Sequence, residues 1–207
     1  MKCSFLLMLA TGWRVSELNA CTRDPNYCKI INGKLWITPN PLFLAKNETP
    51  DKRRPPKIIE PLLMEDGKPS CLCPVEAFKQ YIKKSSKFKA GNLWIHPNSS
   101  QPLQVNQLGN LICKLIKKAN PGLEATVHEL RKFAASYALQ EIMDTSELAK
   151  AMDWSSAKIF FRNYLCNIAP LSQSVTLPSR NRVKTMSSLQ SPSTSSGVPS
   201  KGRRRKP

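Results

Sequence analysis

The sequence contains few acidic residues and no long hydrophobic segment. Only 14 of its 207 residues are aspartate or glutamate, against 32 lysines and arginines, and the formal net charge is +18. No run of about 18 apolar residues occurs, which excludes an ordinary transmembrane helix. The apolar stretch at residues 5–10 is short and polar residues follow it at once, so we expect no secretory signal peptide. No strongly basic amphipathic helix stands out, which argues against a membrane surface as the partner.

The sequence also lacks the usual patterns of metal sites and disulfide frameworks. Its seven cysteines are odd in number and scattered, and Cys71 and Cys73 form a CxC pair with no histidine nearby. Carboxylates with metal-ligand spacing are absent as well. We therefore expect reduced thiols inside a cell, with no metal and no cofactor. RNA binding is disfavoured, because the sequence has neither RNP-type aromatic residues nor a GxxG clamp.

Positive charge is abundant at the carboxyl-terminal end. Residues 171–207 contain ten serines, four prolines and eight lysines or arginines, with no acidic or aromatic residue. Such a segment cannot bury enough apolar surface to fold, so we predict a disordered basic tail over residues 170–207. Its last seven residues read as a nuclear import signal or a phosphate-binding run, with a merely solvated tail as the alternative.

The remaining chain is basic too and has the pattern of an α+β fold that is mostly helical. Residues 1–170 carry a net charge of +10, so nucleic acid, and double-stranded DNA in particular, is the expected partner. Apolar periodicity and capping residues predict helices over residues 5–20 (with a break at Gly12), 74–83, 106–119, 126–142, 145–152 and 155–167. Alternation and turn residues predict a small antiparallel sheet from a hairpin over 29–37 and strands over 42–45 and 57–60, with a further extended piece over 93–96.

The helix over residues 126–142 carries the first candidate site. Thr126 and Glu129 form a capping box, and an apolar stripe follows at Leu130, Phe133, Ala134, Tyr137 and Ala138. On a helical wheel, His128 and Arg131 lie beside this stripe, near a helix start that favours anions. Alone, the pair is more often a histidine in a capping turn with a surface arginine than a phosphate site.

Three other features are individually ambiguous. Arg14 and Glu17 have the spacing of a surface ion pair on a helix. Lys46 lies in a basic segment with the character of a charged turn. Tyr164 lies in the last predicted helix, beside two phenylalanines, where a tyrosine usually packs into a core.

Together, three segments resemble the sequence boxes of tyrosine recombinases. Residues 10–18 (ATGWRVSEL) resemble the first arginine box, residues 127–136 (VHELRKFAAS) the HxxR box, and residues 152–165 (MDWSSAKIFFRNYL) the box with the nucleophile. They occur in the family's order and at similar separations, so the resemblance covers about residues 5–168. The third box and residues 40–48 look most like the DIRS-type and Crypton mobile elements of eukaryotes.

The resemblance implies a catalytic set around one scissile phosphate: Arg14, Lys46, His128, Arg131, Trp154 and Tyr164. The two arginines and the tryptophan would bind phosphate oxygens, and the histidine would orient or deprotonate the tyrosine, which attacks phosphorus to form a 3′-phosphotyrosyl link. The lysine would protonate the departing 5′ oxygen, with Lys52 as the alternative, and Glu17 would orient its neighbours. Further contacts to DNA are expected from Lys52, Arg53, Arg54, Lys132, Arg203, Arg204 and Arg205.

The resemblance thus implies DNA cleavage and rejoining in recombination or integration, without a metal or a small-molecule substrate. Members of the family assemble as tetramers on DNA, so the resemblance also implies a possible homo-oligomer on DNA. The basic run at residues 201–207 adds a nuclear location. The family usually has a helical DNA-clamping domain before the first box, which here begins at Ala10. We therefore expect residues 1–169 to be an amino-terminally truncated catalytic domain. The alternative is a catalytically idle DNA-binding protein derived from a mobile element.

Overall fold

A computed structural model describes residues 1–88, 91–96, 98–124, 126–142 and 144–153 of the chain. These residues form helices and one three-stranded antiparallel sheet, which confirms the predicted α+β, mostly helical fold class. In chain order the elements are α1 (Lys2–Thr11), α2 (Val15–Asn19), β1 (Cys28–Ile31), β2 (Lys34–Ile37), β3 (Lys57–Ile59), α3 (Pro74–Lys84), α4 (Val105–Ala119), α5 (Val127–Ile142) and α6 (Thr145–Ala151). Within the described residues, no helix is long and apolar enough to cross a membrane.

The predicted first helix is two helices, and the break lies at Gly12. Gly12 has φ 63° and its N–H donates to the Met8 carbonyl at 2.9 Å, which ends α1 in a left-handed cap. A side chain on Gly12 would collide with the side chain of Met152, so the end of α1 closely approaches the end of α6. The glycine therefore both turns the chain toward Arg14 and allows the two helix ends to meet.

The sheet is a meander in the order β1-β2-β3. Asn32 and Gly33 both have positive φ, as the two-residue turn of a tight hairpin requires, and Ile31 pairs with Lys34. β2 pairs with β3 so that Leu35 faces Ile59. The predicted hairpin and third strand are thereby confirmed, and the sheet edge brings the start of β3 beside the candidate site.

The predicted strand over residues 42–45 is wrong. This segment lies in the β2–β3 loop (residues 38–56), where Leu42 is 91% exposed and its N–H bonds to the side chain of Asn40. A strand needs a neighbour for its backbone groups, and here a polar turn satisfies them instead. Apolar residues in the sequence NPLFLA were mistaken for strand periodicity.

The core lies between the sheet and the helices. α1 is apolar around most of its circumference and packs against α3 and α5, as expected of a helix buried on several sides. α2 packs against α4, and α6 packs against α5. The largest fully buried apolar side chains include Leu7, Met8, Leu18, Leu35, Ile37, Ile59, Trp94, Leu103 and Leu108.

Helix α5 begins where the sequence predicts, but its buried face is rotated. The capping box is present: the Thr126 N–H donates to Glu129 at 2.6 Å, and the Glu129 N–H donates to the Thr126 hydroxyl at 3.2 Å. However, Phe133 is exposed, whereas Arg131 and Ala135 are buried. Arg131 is thus part of the buried face rather than beside it, because polar partners on α1 and α6 accept its guanidinium.

Candidate active site

Glu17 is a buried carboxylate that contacts three arginines from three parts of the chain. Glu17 is 2% exposed, and Oε1 lies 3.2 Å from Nη1 of Arg14 and 3.2 Å from Nη1 of Arg54. Its other oxygen, Oε2, accepts the Arg14 backbone N–H at 2.6 Å and lies 3.6 Å from Nη1 of Arg131. A buried carboxylate is costly without paired charges, so these contacts explain how Glu17 can be buried.

Arg131 connects α5 to the ends of α1 and α6. It is 2% exposed, its Nη1 donates to the Gly12 carbonyl, and its Nη2 donates to the Met152 carbonyl at 3.2 Å. The close approach of Gly12 and Met152 brings both acceptors within reach of one planar guanidinium. The position of Arg131 is therefore determined by the packing of three helices.

Arg14 is the more accessible of the two predicted clamp arginines. It precedes α2 as the N-cap residue, and its side chain remains 33% exposed. Arg14 and Arg131 lie on the two oxygens of one carboxylate, so their guanidinium groups are neighbours. The accessible Arg14 guanidinium is therefore the part of this cluster that an anion such as phosphate can reach, whereas both Nη atoms of Arg131 already donate to backbone carbonyls.

His128 lies in the first turn of α5, one turn before Arg131, and its side chain is exposed. Partial desolvation lowers the pKa of His128, and the positive charges of Lys132, Arg131 and Arg14 lower it further. The imidazole is therefore mainly neutral at pH 7 and can accept a proton.

The predicted lysines lie on the β2–β3 loop, and both are exposed. Lys46 is followed by Asn47, whose side-chain Nδ2 donates to the Asp153 carbonyl at 3.3 Å. Lys52 lies in a tight turn, where its N–H and carbonyl both bond to Thr49. Of the two, Lys46 is thus adjacent in sequence to a direct contact with the end of α6.

The side chains of Arg53 and Arg54 make specific contacts within the protein, unlike those of a simple charged turn. Arg53 donates to the carbonyls of Pro41 and Phe43, which holds the loop in shape. Arg54 contacts Glu17 and also Asp153, with its Nη1 3.1 Å from Oδ2 of the latter. Arg54 is therefore held among acidic side chains.

Lys57, the first residue of β3, completes a second charged group next to Glu17. It is 2% exposed, and its Nζ lies 2.9 Å from Oδ2 of Asp153. Burial lowers the pKa of Lys57, and the Asp153 carboxylate offsets this only in part. Burial alone would also lower the pKa of Arg54, but the carboxylates of Asp153, Glu17 and Glu48 outweigh it and raise that pKa.

Within the described residues, no group of three or more histidine, cysteine or acidic side chains has the arrangement of a metal site. The site consists instead of guanidinium and ammonium groups, two buried carboxylates and an exposed imidazole. Such an arrangement can bind a phosphate group and exchange a proton with a ligand.

A protein-family model decides the relationship of this chain. Residues 1–168 match the model described as the phage integrase family. The chain belongs to this family. No curated protein matches the sequence at a significant level.

Solved structures with the same fold are recombinases and integrases. The integrase-family chain is similar to the crystal structure of XerA recombinase (18% identity, TM-score 0.55, covering 78% of this chain and 50% of that one). It is similar to XerH recombinase bound to a palindromic difH substrate in a post-cleavage complex (16%, 0.57, 78% and 40%). It is also similar to the Tn1549 transposon integrase in complex with circular intermediate DNA (18%, 0.51, 80% and 53%). The chain spans about half the length of these proteins or less, and the likeness shows a tyrosine recombinase fold.

In this integrase-family chain, the fold brings several of the nominated residues together. Arg14, Glu17 and Arg131 are in contact, and His128 lies one helical turn from Arg131. Lys132 is half-buried beside His128. The nominated residues that lie outside the described part of the chain are Trp154, Tyr164, Arg203, Arg204 and Arg205, and the predicted helix over 155–167 and the tail lie outside it too.

Sequence reasoning overlooked three charged residues of the site. Lys57 was assigned only to a strand, and Asp153 and Glu48 were only parts of the segments that carry the resemblance. A weak signal was available, because acidic residues are scarce in this chain and two of the three lie in the segments that carry the resemblance. Their pairing partners, however, are distant in sequence and could not be identified without the fold.

A pH profile tests the state of His128. If neutral His128 accepts the proton of the nucleophile, covalent attachment to DNA should stay fast at pH 6.5 and slow only at lower pH, because the pKa of His128 lies below its usual value of about 6.5. The measurement is the rate of protein–DNA adduct formation between pH 5 and 8. His128→Gln should be slow throughout and lose this acid limb. His96→Gln, which alters the only other histidine, should keep it, and an unchanged profile for His128→Gln would contradict the assignment.

Proposed function

We propose that this chain carries out site-specific DNA strand cleavage and rejoining through a 3′-phosphotyrosyl intermediate. The observation that carries the proposal is the juxtaposition of Arg14 and Arg131 on the two oxygens of Glu17, with His128 one turn away. These residues belong to the segments that resemble the family's arginine and HxxR boxes. The family match over residues 1–168 supports the same reading.

The proposed chemistry uses only side chains of the chain. The Tyr164 oxygen attacks phosphorus, the bond from phosphorus to the 5′ oxygen breaks, and a phosphotyrosyl ester forms at the 3′ end. His128 accepts the phenolic proton, and the departing 5′ oxygen takes a proton from Lys46, with Lys52 as the alternative donor. Arg14, Arg131 and the Trp154 N–H would stabilise the negative charge of the transition state. Attack by a 5′-hydroxyl then reverses the same steps and rejoins the strand without ATP.

Charge supports double-stranded DNA as the partner. Residues 1–170 carry a net charge of +10, and the tail adds eight more lysines and arginines. The exposed loop residue Lys52, together with Arg53 and Lys132, would contact backbone phosphates near the site. We further propose that residues 1–169 act as the catalytic domain, that the chain oligomerises on DNA, and that it comes from a DIRS- or Crypton-like mobile element and acts in the nucleus.

The test is covalent capture on a suicide substrate. A nicked DNA duplex, in which cleavage releases a short fragment, prevents rejoining and traps the adduct. A library of random nicked duplexes, which presupposes no target sequence, is incubated with the full chain, and the protein is then denatured and separated on a gel. We expect a labelled band at the mass of the protein plus DNA that is resistant to heat and detergent and sensitive to protease.

The same experiment distinguishes the alternative function. A catalytically idle DNA-binding protein would shift the duplexes on a native gel but would give no denaturation-resistant band at any pH between 6 and 9. That result, with every duplex of the library bound, would contradict strand cleavage by this chain and favour the binding function.

A further inference from the structure

Asp153 has a backbone conformation that its residue type rarely adopts. It follows α6 directly, and its φ is 57°, in the left-handed region. For a residue other than glycine this region is unfavourable, although aspartate tolerates it better than most. Such a conformation persists where surrounding contacts favour it, and it often marks a functional position.

The contacts that hold Asp153 come from the β2–β3 loop and the first residue of β3. The carboxylate Oδ2 lies 2.9 Å from Nζ of Lys57 and 3.1 Å from Nη1 of Arg54, and the carbonyl accepts a bond from Nδ2 of Asn47 at 3.3 Å. Lys57 is almost fully buried, and Arg54 and Asp153 are mostly buried. Water screens these ion pairs less than it screens surface pairs, so the loop is strongly attached to the end of α6.

The same loop is attached to the arginine cluster. Arg54 contacts Glu17, which in turn contacts Arg14 and Arg131. Glu48 adds internal support, because its carboxylate accepts the N–H groups of Ala45 and Arg54. One chain of contacts therefore runs from the candidate phosphate site through Arg54 to Asp153. Between Asn47 and Arg54 the loop has little freedom to move away from the site.

We infer that Asp153 is a positioning residue that holds the β2–β3 loop, and with it the lysine that protonates the leaving 5′ oxygen, against the phosphate site. This inference rests on the proposed strand cleavage. Asp153 touches neither the substrate nor the reacting atoms in this role. It acts through Asn47, the neighbour of Lys46, and through Arg54, which lies two residues after Lys52.

The test compares two leaving groups. In the suicide substrate, sulfur replaces the bridging 5′ oxygen, because a thiolate leaves without a proton and no longer needs the lysine. Asp153→Asn and Asp153→Gly both suit a left-handed backbone, but neither carries the negative charge. We expect both variants to form the adduct at least 10-fold more slowly than the unaltered chain on the oxygen substrate, and within about threefold of it on the sulfur substrate.

Controls separate positioning from general damage. Asp66→Asn removes an equal charge from an exposed turn, where Asp66 pairs only with Lys68 at the surface, and should leave both rates unchanged. Asn47→Ala removes the exposed contact to Asp153 and should show a smaller defect that the sulfur substrate also restores. Asn47→Ala therefore tests the same attachment even if the Asp153 variants do not fold. DNA affinity should not weaken in any of them.

Two outcomes of the rate measurements would overturn the inference. One is a rate for Asp153→Gly equal to that of the unaltered chain on the oxygen substrate. The other is an equal defect on both substrates, which would assign Asp153 to the general structure of the site. Amide hydrogen exchange in peptides from residues 38–56 gives a readout that is independent of cleavage, and we expect faster exchange in Asp153→Asn. If the unaltered chain forms no adduct, the proposed function fails. If exchange in these peptides is the same in Asp153→Asn as in the unaltered chain, the positioning role of Asp153 is refuted, whatever the outcome of the cleavage assay.

Discussion

Replacing Tyr164 by phenylalanine is expected to abolish covalent attachment to DNA while DNA affinity stays within about twofold. The substitution removes a single oxygen, which is the proposed nucleophile, and no other hydroxyl at that position could form the phosphotyrosyl ester. Affinity should persist because it depends on positive charges at Arg14, Arg131 and the loop, none of which changes. The measurement pairs the suicide-substrate assay with equilibrium binding to an uncleavable duplex.

A matched control makes this experiment specific. Tyr27→Phe removes the same hydroxyl from a half-buried tyrosine in the turn before β1 and should leave the rate of adduct formation unchanged. An adduct formed by Tyr164→Phe at the rate of the unaltered chain would show that the nucleophile is a different residue. Mass spectrometry of the DNA-linked peptide would then identify it.

Elements that depend on neighbouring residues could be predicted from the sequence. Asn32-Gly33 specifies a hairpin because few other dipeptides accept positive φ at both positions, and Thr126 with Glu129 specifies a helix start because the two satisfy each other's backbone groups. The prediction of a strand at residues 42–45 was wrong because it depended on a residue that is not a sequence neighbour. A strand depends on a partner that is distant in sequence, and apolar alternation does not reveal whether that partner exists.

In the candidate site too, contacts between residues close in sequence could be predicted and contacts between distant residues could not. Arg14 with Glu17, and His128 with Arg131, could be nominated because each pair lies within one helical turn and within a recognisable box. The contact of Glu17 with Arg54 spans 37 residues, and that of Asn47 with Asp153 spans 106, so no local pattern predicts either. The burial of Arg131 was missed because an arginine on a helix is ordinarily exposed, and only the meeting of α1 and α6 provides its acceptors.

Arg131 is buried and Arg14 is partly exposed, so we expect their removal to affect stability differently. Arg131→Ala should lower both activity and stability, whereas Arg14→Ala should lower activity with only a small loss of stability. Arg131 is buried and donates to the carbonyls of Gly12 and Met152, so its removal leaves buried acceptors without a donor and takes one cation from Glu17. We expect a loss of about 3 kcal/mol in the free energy of unfolding. Arg14 is one-third exposed and its pair with Glu17 is backed by Arg54, so its removal should cost about 0.5–1 kcal/mol.

Both variants should nevertheless slow adduct formation by at least about 100-fold, since each removes a positive charge from beside the negatively charged transition state. Urea unfolding measures the free energy of unfolding. Single-turnover cleavage at saturating DNA, at a temperature where all variants are folded, measures the rate of adduct formation. Arg131→Lys keeps the charge but offers one nitrogen in place of a planar fork, so it should recover part of the stability and little of the rate. Equal stability losses for Arg131→Ala and Arg14→Ala would contradict the buried bridge between α1, α5 and α6. A rate for Arg131→Lys close to that of the unaltered chain would show that the site requires only a positive charge there and not the planar guanidinium.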